Sequence, residues 1–306
     1  MLDLTFRSTR PATPPAPRGA SGLWRPLRML AALLTTSVVL VPVVAAAKRA
    51  PAPEPEAAEA AAPDSGKPTP LDAEATRKLV VEIDNRQRNS GDYKSLVYIR
   101  SQERDKEPVV YEAVVYRRDK DDRFMILFLE PKSERGKGYL RVDRNLWIYD
   151  PSVGRWERRT ERERIAGTNS RRGDFDESNL ALEYDSTYVE AGKLGRFGVH
   201  TIDLTAKKGV DVAWPRIRLW VDAATGNVLK RQEFAASGKL MRTNYTPKWQ
   251  KVLSPVKGES VWVPKEMRMF DEVEKGSSTV VLIKQTDLNA LPANIFTKAW
   301  LESKSR

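Results

Sequence analysis

Apolar residues recur along most of the chain with the two-residue period of β-strands. Such runs lie at 95–102, 109–117, 123–129, 138–143, 145–149, 196–206, 217–222, 228–234, 240–249, 260–270 and 279–289. Charged or Gly- and Pro-containing turns separate them. Because no helix alternates with these strands, the pattern predicts a large antiparallel sheet of about eleven strands, not a parallel α/β fold.

Helical periodicity is confined to two places. Asp72 is positioned to cap an N-terminal helix with an apolar stripe at Ala75, Leu79 and Ile83. The second place lies between the fifth and sixth strands, where 157–165 and 177–188 favour helix. This predicts an inserted helical lid over about 155–195. The expected architecture is therefore mainly β, with flanking helices that cover openings of the sheet.

The N-terminal segment has the features of a secretory signal. Arg25 and Arg28 precede an apolar run at 29–44, and Ala45-Ala46-Ala47 follows. The run has about 16 residues, fewer than the roughly 20 that span a bilayer. We therefore predict a signal peptide over 1–47 and a periplasmic location. An uncleaved membrane anchor is the alternative.

Residues 48–70 consist mainly of Ala, Pro and acidic residues, with no aromatic side chain. This composition cannot bury a core and predicts a disordered linker. Residues 71–306 then form one domain. The chain has no Cys, so an exported form folds without disulfides and has no cysteine for lipid attachment.

The net charge of +11 favours contact with anionic lipids or an acidic partner. Residues 144–165 combine aromatics with arginines, a pattern also found in nucleic-acid-binding proteins. Export argues against a nucleic-acid partner. Arg158 and Arg159 are expected on a solvated helix face that pairs with its own glutamates, or alternatively on a basic rim that meets phosphates. Asp174 is a candidate for holding the lid by charge pairing.

Catalytic chemistry finds little support in the sequence. The one histidine, His200, has only Asp203 as a nearby carboxylate, and no nucleophile elbow or Cys accompanies it. Asp119, Asp121 and Asp122 form an acidic turn without the spaced ligands of a calcium loop. We therefore predict a protein that is not an enzyme, with no catalytic residue, metal site or cofactor.

Several strands carry rows of apolar residues that could line a hollow for an apolar ligand. The stretch FMILFL is apolar at every position, so both of its faces should be covered. Methionines adapt to variable apolar ligands. The predicted apolar hollow consists of Phe124, Ile126, Phe128, Leu140, Val142, Trp147, Tyr149, Ile217, Leu219, Val221, Met267 and Met269. The alternative is that these residues only pack the sheet against its helices.

A family resemblance rests on the middle of the chain. The segment reads FLEPKSERGKGYLRVDRNLWIYDPSVGRWERR and is followed by GTNSRRGDFDESNL. It resembles the outer-membrane lipoprotein-sorting protein family, relatives of the periplasmic lipoprotein carrier of the Lol pathway. The matching motifs are F-x-x-P at 128–131, G-x-x-x-L at 136–140, W-x-Y-x-P at 147–151 and D-F at 174–175. The family's usual G-S-D-F is R-G-D-F here.

The resemblance implies a half-open antiparallel β-barrel whose apolar hollow shields acyl chains beneath helices. It implies a monomeric carrier or chaperone that binds lipoprotein or lipid acyl chains and meets a membrane-associated donor or acceptor. The implied lid or rim residues are Arg158, Arg159, Asp174 and Phe175. Some relatives of this fold are envelope-stress sensors that regulate a membrane partner, which is the alternative function.

Overall fold

The computed structural model describes residues 66–87, 92–142, 145–159, 164–170, 174 and 178–305. The chain divides into two units, Met1–Glu59 and Ala60–Arg306, and every described residue belongs to the second. The predicted signal peptide and most of the predicted linker lie outside the described residues. Within the described ranges, no helix is both long enough and apolar enough to cross a membrane.

Within the described ranges, thirteen antiparallel strands form one open sheet. They are β1 (Asp92–Gln102), β2 (Val109–Arg118), β3 (Arg123–Glu130), β4 (Gly138–Val142), β5 (Asn145–Asp150), β6 (Arg155–Arg159), β7 (Tyr184–Leu194), β8 (Phe197–Ala206), β9 (Arg216–Asp222), β10 (Val228–Phe234), β11 (Leu240–Ser254), β12 (Glu259–Asp271) and β13 (Ser278–Asp287). The described helices are α1 (Ala73–Gln87), α2 (Leu180–Glu183) and α3 (Lys298–Lys304). The predicted fold class, mainly β with an open antiparallel sheet, is confirmed.

The order of strands across the sheet is β6-β5-β4-β3-β2-β1-β13-β12-β11-β10-β9-β8-β7. Every neighbouring pair is joined by a hairpin connection except β1 and β13, which bring the two ends of the domain together. The sheet therefore has two halves, β1–β6 and β7–β13, that meet at the β1–β13 ladder. In that ladder Val97 pairs with Ile283 and Ile99 with Val281.

Helix α1 begins as the sequence predicts. The Asp72 carboxylate accepts a hydrogen bond from the backbone N–H of Ala75 at 2.8 Å, which satisfies one of the unpaired donors of the first turn. Val80 and Ile83 are buried on the sheet side, and Leu79 is half-buried. Of the predicted stripe, Ile83 is buried and Ala75 and Leu79 are half-buried, so the helix packs on the sheet mainly through Val80 and Ile83.

The predicted helical insertion over 155–195 is wrong in its secondary structure. Residues Arg155–Arg159 and Tyr184–Leu194 are strands β6 and β7, which accounts for thirteen strands where eleven were expected. A turn closed by Gly154 N–H donating to the Asp150 carbonyl at 2.9 Å returns β6 along β5. Backbone pairing along an existing edge outweighs charge pairs at helical spacing, each of which contributes only a few tenths of a kcal/mol. The described helical parts of the insertion are α2 and the turn Ile165–Gly167.

Candidate functional site

The predicted hollow residues divide between the two faces of the sheet. In β3 the side chains of Phe124, Ile126 and Phe128 lie on one face, whereas Met125 lies on the other. All of these are buried, so both faces of this strand are covered, as FMILFL predicts. We call the face of Ile126 the front face and the face of Met125 the back face.

Two apolar clusters lie on the front face. The first, around Ile126, extends over β1–β5 and to Met267 and Met269. The second contains Ile217, Leu219 and Val221. Residues that pair directly in antiparallel strands point to the same face. Met269 of the first cluster pairs with Asn244, Asn244 pairs with Arg231, and Arg231 pairs with Leu219 of the second cluster. The two clusters therefore lie on the same face of the sheet.

Eight of the twelve predicted hollow residues therefore share the front face. The other four, Leu140, Val142, Trp147 and Tyr149, lie on the back face, because Leu140 pairs with both Met125 and Trp147. The expectation that all twelve line one hollow is therefore wrong. Alternation along each strand correctly groups residues of that strand on one face. Which face of the sheet that is depends on the register with the neighbouring strands, which the sequence pattern does not show. No observation tests which of these residues contact a ligand.

The first front cluster is closed by residues 164–170, which we call the cover segment. Its apolar contribution is small: Ile165 is buried and Ala166 packs beside it. The backbone N–H of Ala166 donates to the Tyr139 hydroxyl at 2.9 Å, and the Tyr111 hydroxyl donates to the Ala166 carbonyl at 3.2 Å. Two tyrosines of the sheet thus hold the backbone of one cover residue.

Polar contacts hold the rest of the cover segment. Arg164 forms ion pairs with Asp271 at 2.7 Å and with Glu274 at 3.4 Å. The backbone N–H of Asn169 donates to the Thr279 hydroxyl at 2.9 Å. Hydrogen bonds of this kind exchange with water at a modest net cost. The cover is therefore tied down mainly by contacts that water can replace.

The second front cluster is covered by α1 and α2. The buried carboxylate of Asp84 accepts from the Ser178 hydroxyl at 2.6 Å and from the backbone N–H groups of Leu180 at 2.9 Å and Ala181 at 2.8 Å. This carboxylate fixes α2 to α1. In the same cluster, burial raises the pKa of Tyr184 to about 12, and its hydroxyl donates to the Trp214 carbonyl at 3.0 Å.

A buried charged group separates the two apolar clusters. Arg242 pairs with Glu233 at 2.6 Å and with Asp174, and the Glu233 side chain is fully buried. Burial opposes the charge on Arg242, but Asp174 and Glu233 together raise its pKa. The Arg242 guanidinium also donates to the Asn169 carbonyl at 3.2 Å. The sequence predicts charge pairing for Asp174, but its analysis missed Arg242 and Glu233. Charged residues at inward-facing positions of two paired strands are the pattern that indicates such a buried pair.

On the back face, the C-terminal residues 288–305 cover the sheet. Leu140 packs with the buried side chains of Phe296 and Leu301. A pocket of about 340 Å³ lies between these residues and the sheet, with Leu140, Val142 and Trp147 among its lining residues. The Lys298 ammonium stands 3.6 Å from the centre of the Trp147 ring. The back-face members of the predicted hollow are thus covered by the chain's own tail.

The predicted lid or rim residues have different surroundings. Arg158 is exposed on β6, and Arg159 pairs with Glu157 at 2.9 Å. These residues lie on a strand and not on the predicted helix face; Arg158 is exposed and Arg159 is half-buried. Asp174 binds Arg242, as charge pairing of the lid predicts. Phe175 lies outside the described residues.

His200 is a buried residue of strand β8. Its Nδ1 lies 3.1 Å from the Tyr188 hydroxyl, and burial lowers the pKa of the imidazole. Asp203 is engaged elsewhere, in a two-bond contact with Arg218 at 2.5 and 2.7 Å. In the part of the chain that the structure describes, no group of three or more His, Cys, Asp or Glu side chains could hold a metal ion.

Solved structures share this architecture. A domain assigned as an outer membrane lipoprotein-sorting protein from Vibrio parahaemolyticus is 18% identical, with a TM-score of 0.64, and the match covers 76% of this chain and 100% of that one. A LolA superfamily protein from Nitrosomonas europaea is 23% identical over 74% and 98% of the two chains, with a TM-score of 0.59. A DUF1329 family protein from Desulfovibrio piger is 20% identical over 75% and 98%, with a TM-score of 0.64.

The protein therefore has the fold of the LolA-like, lipoprotein-sorting class, as the sequence resemblance predicts. A family model described as "-like: Uncharacterized protein" matches residues 120–303, which is more than half of the chain, so the protein belongs to that family. No curated protein matches the chain.

Proposed function

We propose that the protein is a periplasmic carrier that binds the acyl chains of lipoproteins, or of another lipid, on its front face for transfer toward the outer membrane. The observation that carries the proposal is the contrast between this apolar face and its cover. The face holds large buried side chains on many strands, whereas the cover segment supplies Ile165 and Ala166 and is otherwise tied by polar contacts.

The energetics favour exchange of the cover for a ligand. Uncovering an apolar face costs about 25 cal/mol per Å² if water replaces the cover. An acyl chain that takes the place of Ile165 removes that cost and gains about 0.8 kcal/mol for each methylene that leaves water. The polar groups of the cover meanwhile exchange their protein partners for water at a net cost of about 1 kcal/mol each, which further buried methylenes of the ligand offset. The fold shared with lipoprotein-sorting proteins supports the same role.

The proposal is tested by locking the cover. The Asn169 backbone N lies 2.9 Å from the Thr279 hydroxyl, so the two residues are neighbours in space, and formation of a disulfide by cysteines at these positions is checked before binding is measured. The chain has no Cys of its own, so Asn169→Cys with Thr279→Cys creates one defined bridge. Oxidised protein should lose binding of a fluorescent fatty-acid probe, and reduction should restore it. Each single Cys variant is the control. Equal binding by oxidised and reduced protein would overturn the proposal.

A second test uses half-buried residues of the front face, whose replacement is tolerated better than that of the core. Ile148→Glu and Met267→Glu each place a charge on the apolar surface. Either change should weaken probe binding about tenfold or more while the far-UV spectrum is retained. Val153→Glu, at a side chain 60% exposed in the β5–β6 turn, is the matched control. Undiminished binding by both front-face variants would contradict the assignment of this face.

The cargo and location are tested in cells. Fractionation should find a processed form in the soluble periplasm, and lipids or lipopeptides should copurify with it. A full-length form that remains with membranes after carbonate washing would favour the anchor alternative.

A further inference from the structure

The β11–β12 hairpin continues past the points where it pairs with its two neighbouring strands. β10 pairs with β11 only as far as Tyr245, and β13 pairs with β12 only from Glu266 onward. Past these points β11 and β12 pair with each other, as far as Ser254 and Glu259. At roughly 3.3 Å per residue, the end of this part lies roughly 25–30 Å from the last residues of β11 and β12 that pair with β10 and β13. We call residues 246–265 the distal ribbon.

The tip of the distal ribbon is apolar and exposed. A turn closes it, in which the Gly258 N–H donates to the Ser254 carbonyl at 2.8 Å. Leu253 is 62% exposed and Val256 is 63% exposed, and Pro255 stands between them. A single exposed apolar residue on a protein surface is ordinary. Here two large ones lie three residues apart at the closed end of one hairpin.

Positive charge and tryptophan surround this tip. Residues 246–265 contain Lys248, Lys251, Lys257 and Lys265 and only one carboxylate, Glu259. The ammonium of Lys248 lies 3.6 Å from Glu266, which partly neutralises it. Lys251 pairs across the ribbon with Trp262, and its ammonium stands 5.1 Å from the ring centre. Trp249 lies two residues from Lys251, on the same side of the ribbon.

The order of residue types along the ribbon, apolar at the tip and then lysine and tryptophan, matches the order of layers at the surface of an anionic bilayer. Short apolar side chains enter the acyl boundary, lysines meet lipid phosphates, and tryptophans favour the headgroup level. A protein partner with an apolar pocket would not require a surplus of lysines around the tip. We propose that the distal ribbon inserts its tip, Leu253 to Gly258, into the surface of an anionic phospholipid membrane.

Membrane docking by the ribbon is separate from ligand binding by the front face. None of the residues 246–265 belongs to either front cluster. Changes in the tip should therefore leave fatty-acid probe binding intact, so a failure of this inference is distinguishable from a failure of the proposed function.

A site-specific fluorophore tests the insertion, because the chain has no other Cys. The label is attached to Val256→Cys, and the matched control is attached to Val153→Cys. Val153 is 60% exposed and lies in a turn of the same form, in which Gly154 N–H donates to the Asp150 carbonyl at 2.9 Å. Vesicles of phosphatidylcholine with phosphatidylglycerol should shift the emission of the Val256→Cys label to the blue and allow quenching by lipid-borne nitroxides. The Val153→Cys label should not respond.

Two outcomes of this experiment overturn the proposal. One is an equal response, or no response, of the two labels. The other is a blue shift of the Val256→Cys label on raising the protein concentration without vesicles, since that places the tip against a second copy of the chain. Because the two labelled proteins share the same N-terminal segment, membrane binding by that segment does not mimic the expected difference.

The lysines are tested by Lys251→Gln combined with Lys257→Gln. Loss of two charges near an anionic surface should weaken vesicle binding about tenfold or more at low salt and reduce its salt dependence. Leu253→Asp with Val256→Asp should abolish the blue shift of a label at Pro255→Cys. Both variants should retain fatty-acid probe binding and the wild-type unfolding midpoint. A lysine variant that keeps its preference for phosphatidylglycerol would overturn the electrostatic part of the proposal.

Discussion

Arg242 binds Asp174 and Glu233 at the same time, and so links the insertion to the centre of the front face. The guanidinium donates to the Asp174 carboxylate at 2.8 Å from one terminal nitrogen and to Glu233 at 2.6 Å from Nε. The insertion therefore meets the sheet at a charged group as well as through apolar residues such as Ile165 and Leu180.

Arg242→Met is expected to lower the free energy of unfolding by about 1–3 kcal/mol, because it removes one of the two arginines that pair with the fully buried Glu233 carboxylate, the other being Arg231 at 2.8 Å. Asp174→Asn should cost less, since the Asp174 side chain is 18% exposed. Urea unfolding measures both changes. Arg158→Met, at an exposed position, is the control and should stay within about 0.5 kcal/mol. A larger loss for Asp174→Asn than for Arg242→Met would contradict this assignment.

Removing the ion pairs of the cover segment should speed ligand entry. Arg164→Gln loses the contacts with Asp271 and Glu274, which are partly exposed, so stability should change by about 1 kcal/mol or less. Stopped-flow mixing with a fatty-acid probe should show faster association. The double variant Arg158→Gln with Arg159→Gln should associate at the wild-type rate. An identical acceleration in that variant would show that net charge, and not the cover, controls entry.

Acid should release the C-terminal residues from the sheet. Burial opposes ionisation of Asp92, but hydrogen bonds from Arg118 and the Leu291 N–H hold its pKa below the ordinary value of 3.8. This pair therefore contributes stability that is complete above pH 3.8 and is lost as the pH falls through the lower, folded-state pKa. Asp92→Asn should remove that part of the pH dependence and lower stability at neutral pH. Unfolding curves below pH 3.8 that run parallel for both proteins would contradict the expectation. Asp185→Asn, at an exposed carboxylate, is the control.

The back face should depend on Leu301. Its side chain is fully buried, and a Cβ added at Gly138 would lie 2.5 Å from Leu301 Cδ1. Leu301→Ala should cost about 2–5 kcal/mol of unfolding free energy through the cavity it leaves. Gly138→Ala should also destabilise the protein, because the tail can no longer approach the sheet as closely. Leu182→Ala, 70% exposed, serves as the control in the same denaturation series. Fatty-acid probe binding on the front face should survive all three changes.

The sequence by itself determined the fold class, the capped first helix and eleven of the thirteen strands. These features depend on local patterns: alternation in the strands, a capping aspartate before a helical stripe, and glycines at turns such as Gly226, where φ is +70°. The doubly covered β3 was also readable, because an apolar residue at every position requires cover on both faces. Each of these signals lies within a few residues of the element it specifies.

Tertiary structure decided the features that depend on pairing across the chain. β6 and β7 form because edges of the sheet are present for them to join, which the charge spacing of 157–165 does not reveal. Register assigned Ile126 to the front face and Leu140 to the back face, since a shift of one residue moves every side chain of a strand to the other side. The Arg242–Glu233 pair joins neighbouring strands, whereas its contact with Asp174 spans 68 residues. Only the folded sheet brings these charges together. Once they are buried there, each needs a partner, because an unpaired buried charge is costly.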